Sequence, residues 1–104
     1  MLVDEALADA AERLGVAADE LAVLDARAVT WRDNSLGCPQ PGTMYLQRLT
    51  PGYLVVVGSR GRRLEYHSGP LGPARYCADP RPPLPDDGGA AEGDGGAGWG
   101  VGPV

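Results

Sequence analysis

Between Trp31 and Gly42 the chain reads Trp-Arg-Asp-Asn-Ser-Leu-Gly-Cys-Pro-Gln-Pro-Gly, and no regular element can run through it. Pro39 and Pro41 fix φ and remove backbone donors, while Gly37 and Gly42 favour turns, so the segment is a long loop. A tryptophan and a cysteine inside it call for a specific backbone shape. Long ordered loops are where function tends to sit.

The flanking sequence supplies the regular elements. Leu2, Ala6, Leu7, Ala10, Ala11 and Leu14 recur at helical spacing with charged residues between them, which predicts an amphipathic helix over residues 3–14. Gly15 ends it as a residue able to take positive φ. Residues 21–31 read as a strand with one wet face, and 44–49 as a strand or an extended arm. Pro51-Gly52 has the signature of a type II turn. Tyr53-Leu-Val-Val-Val is the clearest strand, and Ser59-Arg60-Gly61 turns it into residues 62–67 as a hairpin. The expected fold is α+β, one N-terminal helix packed on a three- or four-stranded antiparallel sheet, with Leu7, Leu14, Val55, Val57 and Leu64 in the core.

Charge and composition divide the chain at about residue 78. Residues 1–78 carry nine acids against eight arginines, whereas 79–104 carry five acids against one arginine and are dominated by Gly, Pro, Asp and Ala. That composition offers too little apolar surface to offset ordering entropy, so 79–104 is expected to be a disordered acidic tail. Neither part has the basic face a nucleic-acid binder needs. No signal-like start and no long apolar run is read, so the expectation is a soluble cytoplasmic protein without membrane contact.

The string W-x-D-x-S-L-G-C-P-x-P-G from Trp31, then Tyr45-x-Gln47, Pro51-Gly-Tyr53 and a strand ending Glu65-Tyr-His67, resembles an uncharacterised family of small bacterial domains. The resemblance runs from about Leu14 to Cys77 and brings no activity with it. The order of elements, with Gln47-Arg-Leu-Thr-Pro-Gly52 before a Tyr-led hairpin, also resembles cystatins and their Q-x-V-x-G loop. That likeness implies a helix laid on an antiparallel sheet, and protease inhibition as an alternative role. An extra residue between Gln47 and Gly52, and the Ser35 to Gly42 insertion, depart from the cystatin pattern.

Cys38 and Cys77 are the two cysteines. A disulfide, two buried thiols, or a reactive or metal-bound thiol are all open to them, with a reducing cytosol arguing against the first. Any cysteine nucleophile would have to be Cys38 with His67, the single histidine, oriented by Asp33 or Glu65. Zinc could take Cys38, His67 and Cys77, but three ligands without a short paired spacing fall short of a structural site. Trp31 and Tyr45 either cap the core or stand out as aromatic anchors. The reading is a non-enzymatic binding or interaction module without cofactor or metal. It would take a protein or peptide through the surface of residues 31–53, with Trp31, Gln40, Pro41, Tyr45 and Gln47 as binding residues. A loop with a purely structural role is the rival.

Overall fold

The helical periodicity becomes α1, Leu2–Leu14, in the computed structural model, which describes residues 2–85. Gly15 closes it at φ 68°, and the N–H groups of Gly15 and Val16 both donate to the Ala11 carbonyl. After a single turn of 3-10 helix the chain forms β1 (Ala22–Trp31), β2 (Thr50–Ser59), β3 (Arg62–Ser68) and β4 (Arg75–Cys77). All neighbours pair antiparallel in the order β1-β2-β3-β4. The fold is thus the expected α+β arrangement of one helix on a four-stranded sheet.

Alternation along β2 gives the sheet two different faces. Val55 and Val57 point to the helix, where Ala6, Ala10 and Tyr66 complete a buried cluster. It is the two alanines that meet the sheet, because small side chains let the helix backbone approach closely. Leu7 and Leu64 pack at the rim of this cluster. Leu54 and Val56 point the other way and form a second cluster with Trp31, flanked by Val29 and Leu36. Among the described residues no helix covers this face; the β1–β2 loop does.

Pro51 and Gly52 are not a turn. They lie inside β2, paired with Thr30 and Val29. Pro51 is tolerated near the start of the strand, and Gly52 is required by packing: a Cβ there would collide with the Ser68 carbonyl oxygen and the Trp31 indole. The type II turn is instead at Pro41-Gly42, with Gly42 at φ 78° and Thr43 N–H donating to Gln40 O at 3.2 Å. Residues 44–49 form no strand and run as an irregular arm.

Past Cys77 the chain stays against the domain for a few residues. Arg81 N–H donates to Gly37 O and Leu84 N–H to Thr30 O, each at 2.9 Å. Residues 79–85 of the expected tail therefore lie along the loop and β1. The expectation of disorder for the remainder concerns 86–104, which lie outside the described residues.

On the helix face Tyr66 donates its hydroxyl to Asp9 at 2.6 Å. Burial, reinforced by the Asp9 carboxylate, pushes Tyr66 ionisation up. Burial also works against charge on Asp9, but hydrogen bonds from Tyr66 and Arg13 outweigh it and hold that carboxyl below its ordinary value. The folded chain therefore keeps the Tyr66 proton where an unfolded chain has lost it. This stabilisation is complete below about pH 10 and falls away as pH rises further, whereas that of Asp9 is complete above about pH 4 and lost as pH falls. Tyr66→Phe is expected to cost about 1 kcal/mol at neutral pH and to flatten the decline in melting temperature above about pH 10. A decline as steep as in the parent would assign it to other groups.

Candidate functional site

The loop between β1 and β2 divides into a buried half and an exposed half. Asp33 begins the buried half by accepting from both the N–H and the hydroxyl of Ser35. Those two bonds hold its carboxyl below the ordinary range. Next comes a tight turn from Ser35 to Cys38, closed by Cys38 N–H donating to Ser35 O at 2.9 Å. Leu36 and Gly37 occupy its centre at φ 58° and 73°. A leucine in that region carries a cost of roughly 1–3 kcal/mol. The burial of its side chain against Trp31, Leu54 and Val56 offsets it. At Gly37 both φ and space exclude a side chain, since a Cβ would strike Arg81 O, Trp31 and His67.

This turn carries Cys38 to Cys77 on β4, and the two are joined as a disulfide with their Cα atoms 5.6 Å apart. Among the described residues there is accordingly no free cysteine. Pairing on β3 places the remaining members. Glu65 sits opposite Cys77, and His67 follows two residues later on the same face. His67 Nδ1 is 2.6 Å from Leu36 O and 3.3 Å from Cys38 Sγ. Its Nε2 is 2.7 Å from a Glu65 carboxylate oxygen. Cys77 Sγ lies 3.3 Å from Gly37 O. Donor atoms of Cys38, His67 and Cys77 all fall within 4.8 Å of one another. With the sulfurs bonded to each other they are not thiolates, so the cluster in this state offers a metal no sulfur ligand.

Trp31 belongs to this buried half. It is 0 % exposed, stacks on His67 with centroids 4.2 Å apart, and donates Nε1–H to Ser68 O at 3.0 Å. The packing alternative for Trp31 is thus the observed one, and it offers no surface to a partner. The other named binding residues are placed differently. Gln40, Pro41 and Gln47 are exposed and Tyr45 half-buried. The Tyr45 hydroxyl accepts from Gln40 N–H at 2.9 Å, which ties the Pro41-Gly42 turn to the arm. Leu46 bonds Asn34 in both directions, giving its N–H to Oδ1 and accepting the Asn34 N–H. Its carbonyl also accepts from Arg48 N–H at 2.9 Å, so Gln47 sits at the centre of a three-residue turn.

Sequence reasoning overlooked the side chains between these anchors. Met44 is 95 % exposed, Leu46 65 % and Leu49 63 %. The usable signal was the alternation of Met44 and Leu46 on an extended segment, which reads equally well as one buried strand face.

A groove of about 400 Å³ opens at the junction of the two halves, lined by Cys38, Gln40, Pro41, Tyr76, Cys77 and Arg81 among others. Among the described residues no helix is long and apolar enough to cross a membrane. Residues 3–77 match the family model described as Domain of unknown function (DUF8738). No curated protein and no solved structure matches the chain.

Proposed function

We propose that this chain, which belongs to the DUF8738 family of domains of unknown function, is a non-enzymatic binding module that presents residues 40–49 to a protein or peptide. The observation that carries the reading is the pairing of a fixed backbone with free apolar side chains. Asn34 and Tyr45 pin the arm, yet Met44, Leu46 and Leu49 face water. Exposing them is unfavourable by about 25 cal/mol per Å² of apolar surface relative to burial. A pre-ordered arm lets a partner cover that surface with little further loss of chain entropy. The buried half of the loop serves the rival structural role, covering one face of the sheet, so both readings apply to different residues.

The cystatin-like alternative would use the same arm. Its support is the position of Gln47, exposed at the centre of a turn between β1 and β2. A disulfide also bears on location. A cytoplasmic chain would hold Cys38–Cys77 against a reducing thiol pool, whereas an oxidising compartment would preserve it.

Selecting peptides against the immobilised domain from a random library tests the binding reading. Selected peptides are expected to lose at least about tenfold in affinity for the Met44→Ser/Leu46→Ser variant, a loss of about 1.4 kcal/mol. Its melting temperature should match that of the parent. Peptides that bind the variant equally well would move the site elsewhere. For the inhibitor reading, papain turnover should fall in the presence of the domain and recover with Gln47→Ala; unchanged turnover would remove it.

A further inference from the structure

The disulfide has two unlike sulfurs. Cys38 Sγ is 3.3 Å from His67 Nδ1, and Cys77 Sγ is 3.3 Å from the Gly37 carbonyl oxygen. His67 itself is enclosed, with no exposed side-chain surface. Its two ring nitrogens face oxygens at 2.6 and 2.7 Å, a backbone carbonyl on one side and the Glu65 carboxylate on the other. A carbonyl can only accept. The Leu36 carbonyl therefore takes a hydrogen from Nδ1, and the same N–H lies within reach of Cys38 Sγ. The indole of Trp31, stacked at 4.2 Å, holds the ring in this orientation.

These neighbours decide where negative charge rests when the S–S bond opens. At Cys38 it meets the Nδ1–H of His67, which can donate to a thiolate. At Cys77 it meets a carbonyl oxygen, which favours a protonated thiol. The better leaving sulfur is therefore Cys38, because exchange is faster when the departing thiolate is the more stable one. The groove of about 400 Å³ is lined by both cysteines and lies within the size range of small-molecule sites.

We propose that Cys38–Cys77 is an exchangeable disulfide that takes electrons from a low-molecular-weight thiol entering this groove. The thiolate attacks Cys77 Sγ, forming a mixed disulfide there, and the S–S bonding pair departs with Cys38 as a thiolate beside His67. A second thiolate attacks the external sulfur of the mixed disulfide and releases the small-molecule disulfide and Cys77. Two thiols thereby lose two electrons and two protons. The protein accepts both electrons, Cys77 takes one proton, and the other enters solvent while Cys38 remains ionised. Glu65 acts as a positioning residue through His67. This activity is independent of the exposed arm.

Glutathione and the native full-length chain provide the test, with trapped adducts located by peptide mass spectrometry. Opening is expected to be first order in glutathione, with the adduct on Cys77 at least about ten times more abundant than on Cys38. Once reduced, Cys38 should alkylate about tenfold faster than Cys77. Glu65→Gln should slow the opening by about tenfold and spread the adduct over both cysteines. His67→Gln should do the same where it folds; the parent's adduct position and the Glu65 variant carry the test if it does not. Opening at a rate independent of glutathione, as when global unfolding must come first, would overturn the proposal. So would an adduct confined to Cys38.

Discussion

The double variant Cys38→Ala/Cys77→Ala is expected to lose about 4 kcal/mol of unfolding free energy, the chain-entropy value for a closed loop of about 40 residues. For a domain of this length that corresponds to a fall in melting temperature on the order of 20 °C. The crosslink matters this much because of what it closes. It joins the β1–β2 loop to β4, an edge strand of three residues. Leu36 is held at positive φ in the same turn, so a conformation that is locally unfavourable depends on being anchored from outside. His67 supplies one anchor through the Leu36 carbonyl, and the disulfide supplies the covalent one. Reduced parent protein should match the double variant in equilibrium denaturation. A loss below about 1 kcal/mol would mean that packing of Trp31 and Leu36 alone fixes the loop.

Much of the frame was legible because it follows from local patterns. The apolar spacing of α1, the glycine at its end, and the valine run of β2 each report on one element, and each appears where the pattern puts it. What failed was the turn expected at Pro51-Gly52. Pro41-Gly42 and Pro51-Gly52 both have the residues of a type II turn, and only the first makes one. The difference lies in Trp31, whose indole crosses β2 at the second glycine, and nothing local to residue 51 announces it. The site shows the same division. Cys38, His67 and Glu65 were recognisable as residue types able to work together, and the alternation of Glu65 and His67 along one strand face was visible. That Cys77 stands opposite Glu65 depends on strand pairing, and that Leu36 turns its carbonyl to His67 depends on a positive φ no sequence rule assigns to leucine.

Gly52→Ala is expected to be among the most damaging substitutions of a single residue, with a loss of about 3 kcal/mol or more. A methyl at this position would meet the Ser68 carbonyl oxygen and the Trp31 indole nitrogen, the acceptor and donor of one buried hydrogen bond. It cannot be accommodated by a flexible side chain, since one obstacle is backbone in β3 and the other a fully buried ring. Relief requires Trp31 to leave, which breaks its bond to Ser68 and strips His67 of its stacking partner. The damage should therefore reach the disulfide cluster. In a Trp99→Phe background Trp31 is the sole indole, and its emission should shift to the red in the variant as the ring meets water. Gly61→Ala is the matched control. Gly61 lies at φ 80° with nothing within 4 Å of an added Cβ, so that change should cost only the backbone penalty of about 1 kcal/mol. Equal losses at the two positions would show that β2 tolerates the methyl by local adjustment, and that Trp31 does not set the requirement for glycine at 52.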